Sequence, residues 1–171
     1  MLHIGIFCSK DIWSNTRNNH VLGNLAMLCG KVSALLPAES QRKDPIDILI
    51  VNEDHKKAGQ ALLSRATCSL VLINTDEPES HVLIRRYRGN LITYGLNQKA
   101  CITASSIVDN ELDGQLHICI QRSFPTIADE CTAVQEFPVH MYALGVELTI
   151  ALVGAALVCG ASLEDINKVF N

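Results

Sequence analysis

The two segments that decide the fold are Ile46-Asp-Ile-Leu-Ile-Val51 and Ser69-Leu-Val-Leu-Ile-Asn74. Each is an almost unbroken run of branched aliphatic residues, the pattern of a parallel strand covered on both faces. Residues 56–65 between them read as a helix. Upstream, Leu2 to Cys8 is a short apolar run that empties into the polar stretch Ser9 to Arg17, as a buried strand feeds a turn. From Asn18 onward, Val21, Leu22, Leu25, Leu28, Cys29, Val32 and Leu35 recur at three- and four-residue steps. That spacing predicts one helix, capped by Asn18 or Asn19 and stopped by Pro37. A polar linker, Glu39 to Pro45, leads back to the deciding run. The order β-α-β-α-β with short connections implies a parallel sheet with right-handed crossovers.

The pattern then changes. Leu91 to Tyr94, Cys101 to Val108 and Leu116 to Gln121 read as strands with short loops between them, and the turn cluster Asp109 to Gly114 makes the last two an antiparallel hairpin. Phe124 to Pro138 carries no clear period. Met141 to Cys159 reads as a long apolar helix ended by Gly160. A second helix begins with Ser162 as its cap and Asp165 in the place of a capping-box acid. The expectation is an α/β fold, a mostly parallel open sheet flanked by helices with an antiparallel hairpin in its second half. One domain is expected over residues 1–171.

Composition narrows the function. The chain has 171 residues, 48% of them apolar, with a mean hydropathy of +0.19, a net charge of −4 and a pI near 5.8. Its most basic run, Arg85-Arg86-Tyr87-Arg88, is short and reads as a solvated helix end or turn. Nucleic acid is not an expected partner, because phosphate neutralisation needs a broad basic face. The seven cysteines include no C-x-x-C pair and sit mostly in apolar runs, which suits a reducing, cytoplasmic setting. The opening residues lack the basic region of a signal peptide. Leu148 to Cys159 is too short to span a bilayer, so no membrane is expected. The helix containing it is apolar almost all round, which predicts burial, in part against a second copy in a homodimer.

Several segments in order resemble the central domain of the Mur ligase and folylpolyglutamate synthase family. Leu91-Ile-Thr-Tyr-Gly-Leu-Asn97 followed by Ala104-Ser-Ser-Ile107 is similar to the family's "iTYG" strand and hairpin. Leu70-Val-Leu-Ile-Asn-Thr-Asp-Glu-Pro78 resembles its "vlN-x-DDp" strand and turn. Ile50-Val-Asn52-Glu-Asp54-His55 resembles a shortened "TN-x-x-x-DH", and Ala151 to Ile166 resembles the family's small-residue helix together with the glycine turn and helix start after it. The resemblance implies ATP and Mg²⁺ as cofactors. It places Asn52 and Asp54 in a nucleotide- or ligand-binding motif and His55 as a metal ligand. It also makes His140, in Pro138-Val-His140-Met141, the counterpart of an adenine-contacting histidine, with methionine where the family has asparagine.

The departures are physical. A phosphate-cradling loop needs glycines, because its backbone wraps the anion in conformations that a Cβ resists. Here the loop is Phe7-Cys-Ser-Lys-Asp-Ile-Trp-Ser-Asn-Thr16, with no glycine between Gly5 and Gly23. Lys10, Ser14 and Thr16 have suitable chemistry in the wrong frame. The family's modified lysine has no clear counterpart, although Lys56 and Lys57 lie close by, and its stretch between phosphate loop and DH motif is compressed to one helix and a linker.

The site residues have two readings each. Asp54-His55 follows a predicted parallel strand, where open α/β sheets hold ligands; the same step also suits a loop end capping the next helix. Asp76-Glu77 reads first as a solvated Asp-Glu-Pro turn, with a hard cation on oxygen ligands as the alternative. His140 suits a ligand contact or a structural place at a helix boundary. Ser105, Ser106 and Ser123 lack a nucleophile-elbow context. The leading expectation is a non-catalytic, Mur ligase-like module for binding or interaction with a partner protein. The alternatives are an ATP-dependent acid–amino acid ligase, a half-enzyme needing a partner chain, or a small-molecule sensor whose cleft at the strand ends binds a nucleotide or small anion.

Overall fold

A computed structural model describes residues 2–8, 11–35, 45–52, 68–108, 114–141 and 144–170. Its strands are β1 (Leu2–Phe7), β2 (Gly30–Leu35), β3 (Ile48–Val51), β4 (Leu70–Asn74), β5 (Asn90–Tyr94), β6 (Ile102–Val108), β7 (Gln115–Ile120) and β8 (Gln135–His140). They form one sheet in the order β2-β1-β3-β4-β5-β6-β7-β8. Pairing is parallel from β2 through β6 and antiparallel at β6–β7 and β7–β8. The described helices are α1 (Asp11–Ser14), α2 (Thr16–Cys29), α3 (Ser80–Arg86), α4 (Val146–Val158) and α5 (Leu163–Phe170).

Alternation along the central strands builds two cores. Ile4 and Ile6 of β1, Ile48 and Ile50 of β3, and Leu70 and Leu72 of β4 face one cluster with α2, α4 and α5. Their neighbours Phe7, Leu49, Val51, Val71 and Ile73 face the other, with Leu83 of α3. Burial of each such side chain contributes roughly 1.5–3 kcal/mol, which makes these strands the stable centre of the molecule.

α4 is the helix expected to need a partner. Every residue from Leu148 to Val158 is buried within this chain, so its apolar surface gives no ground for a homodimer. It approaches the sheet closely because Gly154 has no side chain; a Cβ there would lie 2.7 Å from both Ile102 Cδ1 and Leu72 Cδ2. No described helix is long and apolar enough to cross a membrane.

Two expectations are corrected, and two stretches gain elements that local pattern left unassigned. The helix predicted to run from Asn18 to Leu35 ends at Cys29, because Gly30 takes φ 122° and turns the chain into β2. Val32 and Leu35 fit the helical period by coincidence and belong to an edge strand beside β1. A short helix, α3, lies between β4 and β5; Arg85 and Arg86 form its last turn, the helix end that their run suggested, where cations suit the helix dipole. The last long helix begins at Val146 rather than Met141, since Gly145 adopts φ 79°. Finally, the patternless segment before Pro138 holds the start of β8, an edge strand that tolerates Pro138 because one side of it has no ladder to complete. The residue 56–65 helix, the Asp109–Gly114 turn except Gly114 itself, and most of the 39–45 linker lie outside the described residues.

The second capping prediction holds in detail. Ser162 Oγ accepts the Asp165 amide (3.2 Å), and the Asp165 carboxylate accepts the Ser162 amide (3.1 Å) and hydroxyl (2.7 Å). These bonds hold the Asp165 carboxyl below its ordinary value. Replacing Gly154 tests the close packing of α4: Gly154→Val is expected to lower stability by about 1–3 kcal/mol through overpacking, read as a lower urea midpoint at unchanged m-value.

Candidate functional site at the C-terminal edge of the sheet

The chain leaves β1 outward to β2, then returns across β1 to β3 and continues in the other direction. In open α/β sheets, ligands lie in the crevice outside the C-terminal ends of the two strands at such a reversal. Here those ends are Phe7-Cys8 and Val51-Asn52, joined by the Asn52 amide donating to the Phe7 carbonyl at 3.0 Å.

A polar network lies beside them. Tyr94 closes β5 and is fully buried. Its hydroxyl reaches past β4 to β3, 3.2 Å from the Val51 carbonyl and 3.0 Å from Asn52 Oδ1. Asn74, at the end of β4, donates from Nδ2 to the Asn52 carbonyl (3.3 Å) and accepts the Asp76 amide on Oδ1 (2.9 Å). Asn52, Asn74 and Tyr94 are all buried, and each has a partner, as burial of polar groups demands.

Asp76 turns the network outward. Its carboxylate accepts from the Leu96 amide (2.5 Å), the Asn97 amide (3.2 Å) and Asn97 Nδ2 (3.0 Å). It therefore clamps the turn after β4 to the loop after β5 with charge-assisted bonds. Gly95 makes the clamp possible: it has φ 143°, and a Cβ there would lie 2.6 Å from Asp76 Oδ2. The Thr75 amide and hydroxyl both donate to the Tyr94 carbonyl, at 2.8 and 3.0 Å. Between this loop and α3 lies a cleft of about 340 Å³, lined by Thr75, Asp76, His81, Thr93, Asn97 and Lys99 among others.

The residues singled out in the sequence fall into three groups. Asn52 and Asp76 come together, just past the ends of neighbouring strands and linked through Asn74. His140 stands apart. It ends β8 opposite Gln115, five residue steps up β7 from Ile120, the partner of Ile102 where β6 meets β5. That is about 17 Å along the strands, with β6 and β7 intervening. Lys10, Asp54 and His55 lie outside the described residues, as do Lys56 and Lys57. Among the described residues, no group of three or more His, Cys, Asp or Glu is placed to hold a metal ion. Asp76 instead directs its oxygens to loop N–H groups, so the described donors do not fit Mg²⁺ and no step through the metal follows from them. Local pattern assigned no role to Tyr94, Asn74 or Asn97. The signal was present in Asn74-Thr-Asp76 and Thr93-Tyr-Gly95, but the partners of those residues are set by strand order.

Two substitutions test this construction. Tyr94→Phe leaves Asn52 Oδ1 without its buried donor and is expected to cost about 1–3 kcal/mol, measured by chemical denaturation. Gly95→Ala strains the backbone and displaces the Asp76 carboxylate. A cost of about 1–3 kcal/mol is expected, with faster amide hydrogen exchange at Leu96 and Asn97.

No protein-family model and no curated protein matches this sequence. Solved structures do. The fold is similar over 99% of this chain to UDP-N-acetylmuramoylalanyl-D-glutamyl-2,6-diaminopimelate–D-alanyl-D-alanyl ligase from Acinetobacter baumannii, with a TM-score of 0.72, 11% identity and 45% of that chain covered. A crystal structure of MurF from Acinetobacter baumannii gives 0.71 and 11% with the same coverage. UDP-N-acetylmuramoyl-L-alanyl-D-glutamate–2,6-diaminopimelate ligase gives 0.70 and 12%, with 99% of this chain and 46% of that chain covered. The chain spans less than half the length of the ligases it matches. At such identity the likeness is one of fold: this chain has a Mur ligase central-domain-like α/β fold.

Proposed function

We propose that this chain is a Mur ligase-like binding module that takes a nucleotide or small anion at the C-terminal edge of its sheet and does not form amide bonds by itself. The observation that carries this reading is the state of that edge. Asn52, Asn74, Asp76 and Tyr94 are bonded to one another and to loop backbone, which gives a pre-organised wall rather than a set of open catalytic groups. The first loop, Phe7 to Thr16, has no glycine with which to wrap a phosphate.

In this reading Lys10, which follows β1 in sequence, answers the ligand's negative charge. Asp54 and His55 follow β3, with His55 the candidate Mg²⁺ ligand if ATP arrives with its metal. Asn52 and Asp76 hold the wall, and His140 serves a separate contact. Residues 1–171 act as one cytoplasmic domain, alone, as a homodimer or with a partner protein. A second reading is an ATP-dependent acid–amino acid ligase, or half of one completed by another chain; the ligase-like fold over 99% of this chain favours it.

Calorimetry with ATP, with and without Mg²⁺, tests the proposal. Micromolar binding is expected, equivalent to about −8 kcal/mol, weakened roughly tenfold by Lys10→Ala and, only when Mg²⁺ is present, by His55→Ala. Absence of heat at millimolar nucleotide and at millimolar phosphate would sink the nucleotide and anion reading. Amide formation from ATP and a simple amino acid by the purified chain would establish the second reading instead.

A further inference from the structure

Away from the strand ends that the binding reading uses, a histidine and a serine meet near the start of β1. His3 lies in β1 and Ser33 in β2, where Ser33 pairs in register with Gly5. Side chains alternate along a strand, so His3 and Ser33 share the face that carries Phe7 and Leu35. His3 is buried, and Asp47 fixes its backbone on both sides. The His3 amide donates to Asp47 Oδ2 at 2.8 Å, and the Asp47 amide donates to the His3 carbonyl at 2.9 Å. The ring is held as well: Nδ1 lies 2.9 Å from the Pro45 carbonyl oxygen, and Nε2 lies 3.0 Å from Ser33 Oγ.

These partners fix the tautomer. A carbonyl oxygen has no proton to give, so in the neutral ring Nδ1 carries the hydrogen and donates it to Pro45. Nε2 is left with its lone pair, and the Ser33 hydroxyl donates to it. A hydroxyl bonded to a base, with the base oriented by a third group, is the arrangement that activates a serine. Elsewhere the hydroxyls of Ser80 and Ser123 donate to the Asn74 and Thr132 carbonyls, which take up no proton at neutral pH, whereas an imidazole does. Ser33 is half-buried, and β2 is an edge strand of the described sheet, so a reagent reaches Oγ without parting two paired strands.

We propose that Ser33 is a nucleophile toward short-chain carboxylic esters, with His3 as its general base and the Pro45 carbonyl as the positioning group. Ser33 Oγ attacks the ester carbonyl carbon, its proton passes to His3 Nε2, and the carbonyl π pair moves onto oxygen. The tetrahedral adduct collapses, the ester C–O bond breaks, and the departing alkoxide takes the proton from Nε2 and leaves as an alcohol. Water then attacks the acyl carbon and gives its proton to Nε2. The bond from the carbon to Oγ breaks, and Oγ recovers the proton. The sum is ester plus water to acid plus alcohol, with both side chains restored. A short, uncharged acyl group suits the place, because Ser33 borders the apolar cluster that holds Leu35 and Ile46.

The test treats the full chain with p-nitrophenyl acetate, follows p-nitrophenolate release, and maps the acetyl group by peptide mass spectrometry. The expected result is a burst of p-nitrophenolate with the acetyl group on Ser33. Ser33→Ala should abolish that burst, and His3→Gln should slow acylation of Ser33 by about 100-fold, the scale of general-base catalysis. Chemical denaturation of each variant separates loss of the base from loss of the fold. If His3→Gln does not fold, a solvent deuterium isotope effect on the wild-type burst, expected when a base removes the hydroxyl proton, takes its place. Acetylation confined to lysines or to the exposed Cys131 would overturn the proposal. So would acylation of Ser33 that neither His3→Gln nor deuterated solvent slows.

Discussion

The rest of this molecule depends on the burial of β1, β3 and β4 on both faces. Residues such as Ile48, Leu49, Ile50 and Leu72 are fully removed from water. Strands apolar on both sides cannot face solvent on either, so helices must cover each face. α2 and α4 cover one, and α3 covers part of the other. Parallel pairing arises from that need, because a covering helix between successive strands returns the chain to the same starting edge. The same constraint sends the strand ends, with their polar side chains, to one edge of the sheet.

At that edge, polar groups are buried beside an apolar core, and each has to find a partner within the protein. Tyr94 satisfies this by spanning from β5 to β3, and Asn74 by reaching the Asn52 backbone. The outcome is a rigid wall in which β3, β4 and β5 are tied by side chains as well as by their ladder. Asp76 extends that rigidity into the loops beyond the strands. An acidic residue after a strand is easily read as a ligand group, yet three N–H donors from one loop already surround its carboxylate. The cleft between that loop and α3 is therefore shaped by structural bonds, with Lys99 and His81 among its lining groups.

The two edges of the sheet thus differ in chemistry. One carries carboxamides, a phenol and an acid arranged by strand ends and tight turns. The other carries the ends of α2 and α4, at Cys29 and Cys159. At the first edge the long-range partners lie far apart in sequence, Tyr94 42 residues from Asn52 and Asn97 21 from Asp76. Distance along the chain is the reason that such contacts escape a reading of local pattern.

Much of the fold was legible because its signals are local. The apolar runs ending at Val51 and Asn74 needed no tertiary context to be read as central strands, and Ser162 with Asp165 made a cap within four residues. The hairpin of β6 and β7 was signalled by the turn residues between them. What the sequence determined by itself was therefore the α/β class, the parallel core, the late antiparallel turn and a first loop without glycine between Gly5 and Gly23. Tertiary structure alone decided the rest. Val32 and Leu35 obey a helical period and yet lie in β2, because pairing with β1 overrides local periodicity once Gly30 has turned the chain. The all-apolar α4 finds its cover inside its own chain, since helix and sheet together bury what neither could alone. The partners of Tyr94 and Asp76 were set by strand order, and no spacing of residues along a chain encodes that order.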